Sequence, residues 1–130
     1  MPIVFTNGCF DVLHRGHIEL FRFCKTLGDK VVVGLNTDRS VKENKGKNRP
    51  INSQDDRKLI LESIRYIDSV ILFDEKTPYE LINCIKPDII VKGGDYSAKD
   101  VVGSDICKVV IFDYVKGYST TKTLQDIADR

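Results

Sequence analysis

Net charge is the first thing this sequence lacks: 20 basic residues face 19 acidic ones in 130. No global field draws such a chain to nucleic acid or to a membrane surface, so any anion site must be local. No apolar run is long enough to span a bilayer. The N-terminus lacks the basic, then apolar, then small-residue order of a signal peptide, and a cytoplasmic location is the expectation. Four cysteines, Cys9, Cys24, Cys84 and Cys107, form no CxxC pair. All sit beside apolar residues, so a reduced and mostly buried set is expected. Neither GxGxxG nor a Walker A sequence occurs, which argues against an NAD enzyme and a P-loop ATPase. The glycine- and hydroxyl-rich loops offer no carboxylate pair and no complete nucleophile–base–acid triad, and the chain has no internal repeat and no low-complexity tract.

What is present is concentrated. Hydrophobic residues make up 42% of the chain, enough for a real core, and the length suits one domain over 1–130. The apolar run Ile3-Val4-Phe5 feeds a glycine-bearing loop from Thr6 to His17. A helix follows, with Leu20, Phe21, Cys24 and Leu27 at helical spacing. A strand, a loop and a helix start form a natural anion site, because free N–H groups and the helix dipole meet there. His14 and His17, the two histidines of the chain, lie three apart and so share one side of that helix start. A zinc pair would need a third ligand at recognisable spacing, and none accompanies them. Cys9 lies inside the loop. Its two readings are packing beneath the loop, which we favour, and a nucleophile with a histidine partner.

Further strands are expected at Val31–Leu35, Val70–Phe73, Ile89–Val91 and Val109–Phe112. Helices are expected from Ser53, with Leu59, Ile60, Ile64 and Ile67 as the buried stripe and Arg57 and Arg65 off it, and from Thr77 or Pro78, carrying Leu81, Ile82 and Ile85 inward. A closing helix runs through Ile127. Residues Ser97 to Lys108 carry no clear pattern. The alternation predicts an α/β fold, a Rossmann-like doubly wound parallel sheet of about five strands. Ligands on such sheets collect at the carboxyl ends of the strands. That rim gathers the Thr6–His17 loop, Asn36-Thr37-Asp38, Lys92-Gly93-Gly94-Asp95-Tyr96 and Ser119-Thr120-Thr121. A polar segment, Lys42 to Arg49, is expected as a mobile basic loop beside it. This inventory suits charge stabilisation rather than covalent catalysis. It fits attack by a phosphate on the α-phosphorus of a nucleoside triphosphate, with magnesium bridging the triphosphate.

Gly8-Cys9-Phe10-Asp11 followed by His14-Arg15-Gly16-His17 resembles the nucleotidyltransferase superfamily with the HxGH signature, whose fold is cytidylyltransferase-like. The segments Thr6–Asp11, Asn36–Asp38, Arg49-Pro50 and Lys92–Tyr96 are most similar to the adenylyltransferase domain of ADP-heptose synthases. Arg65-Tyr66-Ile67-Asp68 before Val70-Ile71 is similar to a signature of glycerol-3-phosphate cytidylyltransferases. The resemblance implies that His14, His17 and Lys45 act on the triphosphate. It implies that Asn7, Gly8, Cys9, Phe10, Lys92, Gly93, Asp95, Ser119, Thr120 and Thr121 bind the nucleotide. Asp11, Asp38, Arg57 and Arg65 are implied at the substrate, Asp11 alternatively as an organiser of the loop. No protein metal site is implied; Mg2+ would be held mainly by the triphosphate. The expected partners are ATP in preference to CTP, and a sugar 1-phosphate, most like heptose 1-phosphate, or a polyol phosphate. Relatives of this kind are commonly dimers, so a homodimer is an expectation. Tyr118 stands where a cysteine is common in the heptose group, and the sugar kinase domain often fused ahead of it is not in this sequence. A CTP-dependent enzyme for glycerol 3-phosphate and a nucleotide-binding module without turnover are the alternatives.

Overall fold

The computed structural model describes residues 2–94, 97–113 and 127–128. Five strands, β1 (Ile3–Gly8), β2 (Lys30–Asn36), β3 (Ser69–Phe73), β4 (Ile89–Gly93) and β5 (Lys108–Phe112), form one parallel sheet in the order β3-β2-β1-β4-β5. The central strands are apolar on both faces, as a doubly covered parallel sheet requires. Val4, Val31 and Val33 pack on one face with Leu20, Phe21 and Cys24 of α1 (Arg15–Leu27) and Leu61 of α3 (Gln54–Glu62). Phe5, Val32 and Ile90 pack on the other with Ile82 of α4 (Tyr79–Ile85). The chain order reverses at β1, between its β2 and β4 neighbours. Such a switch point opens a crevice at the carboxyl rim.

Several elements depart from the sequence expectation. The β1 strand extends to Gly8, so Thr6 and Asn7 are strand rather than loop. Half of the expected basic loop is a helix, α2 (Asp38–Lys45). Thr37 caps it by accepting from Ser40 N, Val41 anchors it in the core, and Gly46, at φ 104°, ends it. The expected stripe holds only in part: Ile67 is buried and Ile64 packs against the core, but Leu59 and Ile60 are exposed, while Arg57 and Leu61 are buried. The helix stops at Glu62, so Ile64 and Ile67 are not in phase with its first turns. Of the four cysteines, all free, only Cys24 is buried and Cys84 is exposed. The unreadable segment folds as a single 3-10 turn, Ala98–Asp100, followed by turns that bury Val101. No helix among the described residues is long and apolar enough to cross a membrane. Of the expected closing helix only Ile127 and Ala128 are described, and they are helical; Tyr118 lies outside the described residues.

Candidate active site

A cavity of about 590 Å3 occupies the rim at the switch point. Its wall includes Asn7, Gly8, Cys9, Phe10, Asp11, His14 and His17 from β1 and the turn into α1. Lys45 comes from α2, and Lys92 and Gly93 come from β4. Ten of the expected site residues therefore meet in one place. Asp95, Ser119, Thr120 and Thr121 lie outside the described residues.

The two histidines form a reciprocal cap on α1. Gly16 N donates to His14 Nδ1 at 3.0 Å, and His14 N donates to His17 Nδ1 at 3.2 Å. A nitrogen that accepts from a backbone N–H carries no proton, so the proton of each neutral ring sits on Nε2. Burial holds His14 below the ordinary imidazole value. Burial, with the His14 charge adding to it, lowers His17 to about 4. Both rings are therefore neutral near pH 7 and present Nε2–H donors at the cavity. Such an arrangement can stabilise an oxyanion by hydrogen bonding rather than by moving a proton.

Phe10 fixes this pair from below. Its ring meets His17 and Phe21 edge-on, with centroids at 5.6 and 5.1 Å. To place it there the backbone adopts φ 43°, a left-handed conformation costly for a residue with a Cβ. Gly8 admits the ring, because a Cβ on it would stand 3.1 Å from Phe10 Cζ.

Asp11 stands on the cavity wall and organises the loop. Its carboxylate is sealed, accepting from Arg49 Nε at 3.0 Å, Ile51 N at 2.6 Å and Asn52 N at 2.8 Å. Burial alone would raise this carboxyl. The N–H groups of Asn52 and Ile51 and the Arg49 guanidinium outweigh it and hold the carboxyl below its usual range. With the folded value below the unfolded one, about 3.9, the stabilisation is complete above the unfolded value. It is lost as pH falls through the folded value. Asp11→Asn is expected to be less stable than wild type at pH 7 and to approach it as pH falls below the ordinary carboxylate range. Urea midpoints across that range check this.

Arg57 is likewise internal. It is fully buried and donates to Asn52 O at 3.0 Å, Cys9 O and Asn36 O at 2.8 Å, and Asp38 Oδ1 at 2.9 Å. It ties the ends of β1 and β2 to the start of α3, and Asp38 answers its charge outside the cavity wall. Arg65 is exposed, lies over the Tyr66 ring and falls between α3 and the start of β3, at the amino ends of the strands rather than the carboxyl rim. The structure does not bring it to the cavity.

Sequence reasoning missed Phe73, Lys76, Thr77 and the Asp100–Val102 segment, and gave no role to Asn36 and Asn44 although it set their segments at or beside the rim; all are on the cavity wall. For Phe73 to Thr77 a signal existed, since they follow a strand's carboxyl end like the loops that were found. Cys9 is half-buried at the wall, and burial raises its thiol despite the nearby Lys45, Arg57 and Arg49. That speaks against a thiolate nucleophile. Burial lowers the Lys92 ammonium on β4, the nearby Lys45 adding to the effect and Cys9 opposing it. Among the described residues no three His, Cys, Asp or Glu side chains are grouped to hold a metal ion.

The family model described as cytidylyltransferase-like matches residues 5–123. The chain is 56% identical over 128 residues to the bifunctional protein HldE of Campylobacter concisus (strain 13826). It is 56% identical over 124 residues to the protein of the same name from a Nitratiruptor species. These matches cover 98% and 95% of this chain but 27% of each relative, so it spans about a quarter of the length of the curated relatives it matches. Among solved structures, the lipopolysaccharide core biosynthesis protein from Thermoplasma volcanium is similar at 32% identity and a TM-score of 0.74. That match covers 92% of this chain and 99% of that one. Pantoate-beta-alanine ligase from Francisella tularensis, at 17% identity and a TM-score of 0.63, covers 99% of this chain and 72% of that one and shares the fold.

Proposed function

The chain belongs to the cytidylyltransferase-like family, and from that premise we propose that residues 1–130 form an adenylyltransferase domain. It transfers AMP from ATP to a sugar 1-phosphate, D-glycero-D-manno-heptose 1-phosphate, and releases pyrophosphate. The observation that carries the chemistry is the pair of neutral Nε2–H donors lining one cavity together with Lys45 and Lys92. The acceptor phosphate is already ionised near pH 7 and needs no strong base. It attacks the α-phosphorus in line while charge spreads over the phosphoryl oxygens. His14 and His17 donate to those oxygens, and the lysines neutralise the triphosphate. Ser119, Thr120 and Thr121 are assigned to the nucleotide phosphates by resemblance alone. Magnesium enters with the triphosphate as MgATP, which suits a cavity whose buried carboxylate, Asp11, is engaged by Arg49 and the Ile51 and Asn52 amides.

The preference for ATP and heptose 1-phosphate rests on the adenylyltransferase-like segments at Thr6–Asp11 and Lys92–Tyr96 and on the identity to the bifunctional relatives. The alternative, CTP with glycerol 3-phosphate, rests on Arg65–Asp68. Pyrophosphate release for the four triphosphate and acceptor combinations separates them. ATP with heptose 1-phosphate is the pair expected to turn over. Turnover with CTP and glycerol 3-phosphate but not with ATP and the heptose would reverse the assignment. ATP binding by calorimetry with no pyrophosphate from any acceptor would make the chain a nucleotide-binding module.

A further inference from the structure

Nucleotidyl transfer needs a site for a second anion, and we propose that Lys76 is the cation that holds the phosphate of the acceptor. The inference rests on the reading above and adds a residue that neither the motifs nor the resemblance assigns.

Lys76 stands where β3 gives way to α4, exposed, on the wall of the cavity. Among the described residues nothing pairs with its ammonium. Of the other cations near the rim, Lys45 is likewise unpaired among the described residues and is assigned above to the triphosphate, while the arginines have partners. Arg49 holds Asp11, Arg57 is buried within the fold, and Arg39 pairs with Asp74 and Glu43 on the surface. Lys92 is half-buried beside Cys9 and Lys45. The histidines reach the cavity from α1, which covers one face of the sheet. Lys76 reaches it from the start of α4, which covers the other. In-line displacement places the attacking and leaving groups on opposite sides of phosphorus. Cations on separate walls match that demand.

The junction that carries Lys76 is fastened. Thr37 Oγ1 and Arg39 hold Asp74. Thr37 N donates to Phe73 O at 3.0 Å and Ser40 Oγ to Glu75 O at 3.3 Å. These bonds join the junction to the start of α2, whose far end carries Lys45. Lys45 and Lys76 therefore sit on one framework, on the β2–β3 side, while Gly93 lies across the cavity on β4.

The test is steady-state pyrophosphate release by Lys76→Met and Lys76→Arg, with ATP and heptose 1-phosphate varied separately. Losing a charged contact to phosphate is expected to raise the acceptor KM about tenfold or more. The ATP KM should stay within about twofold, and Lys76→Arg should recover most of the loss because it keeps the charge. Calorimetric ATP affinity equal to wild type would show that Lys76→Met is folded and that its nucleotide site is intact. An unmoved acceptor KM in Lys76→Met, or a rise confined to ATP, would overturn the assignment of Lys76 alone. A wild-type chain that releases no pyrophosphate with any phosphate acceptor would overturn the nucleotidyl-transfer reading itself.

Discussion

His17→Ala is expected to lower kcat by about a hundredfold to a thousandfold, the loss of one transition-state donor. Two effects combine in this variant. The Nε2–H proposed to meet the phosphoryl oxygens disappears. The acceptor for His14 N disappears too, so the first turn of α1 loses half of its reciprocal cap. The second effect is worth about 1 kcal/mol of stability, too little to unfold the domain. His17→Asn separates them. A short amide can cap the turn but cannot place its N–H where the imidazole placed Nε2–H. Its melting temperature should approach wild type while kcat stays low. A full recovery of kcat in His17→Asn, or an unchanged kcat in His17→Ala, would remove the imidazole from the reaction.

The largest expected effect on stability belongs to Arg57→Met. The substitution keeps much of the volume and removes every donor. Three carbonyls, those of Cys9, Asn36 and Asn52, lose their partner inside the protein. Each buried unsatisfied acceptor costs about 1–3 kcal/mol. Asp38 retains partial solvent access, so its lost ion pair adds little beside them. A net loss of about 3–5 kcal/mol is expected, as for breaking other buried charge networks. That is a large share of the roughly 5–15 kcal/mol typical of a folded domain. Urea unfolding measures it directly. Arg57→Lys should recover little, because one ammonium cannot span carbonyls on three segments. A loss below about 1 kcal/mol would mean that water replaces the guanidinium, and that Arg57 does not hold the rim together.

The strands and the HxGH turn were legible because their signals are local. Val31–Leu35 is a continuous apolar run bounded by polar residues, and a parallel sheet buries both its faces. Gly8 and Gly16 beside two histidines mark a turn into a helix without reference to the rest of the chain. Arg57 was not legible for the opposite reason. An arginine's burial depends on carbonyls brought from Cys9 and Asn36, 48 and 21 residues away. Sequence spacing records none of that, so the charge was set outside the stripe and Leu59 and Ile60 were set within it. Asp11 shows the same limit in milder form. Its place in the motif was plain, but that Ile51 and Asn52 would use up its oxygens was not. Lys76 was passed over although it follows a strand's carboxyl end. A lone lysine between Glu75 and Thr77 carries no motif, and only the cavity gives it meaning.

The chain has two histidines, so its ring nitrogens can be followed by 15N NMR without ambiguity of source. At pH 7 both rings should be neutral with the proton on Nε2, and His17 should remain so down to about pH 5, above its value of about 4. Addition of MgATP should shift both Nε2–H resonances and leave both Nδ1 nitrogens as acceptors. Rings protonated at Nδ1, or Nε2–H signals that MgATP does not move, would contradict the assignment of His14 and His17 as donors to the triphosphate.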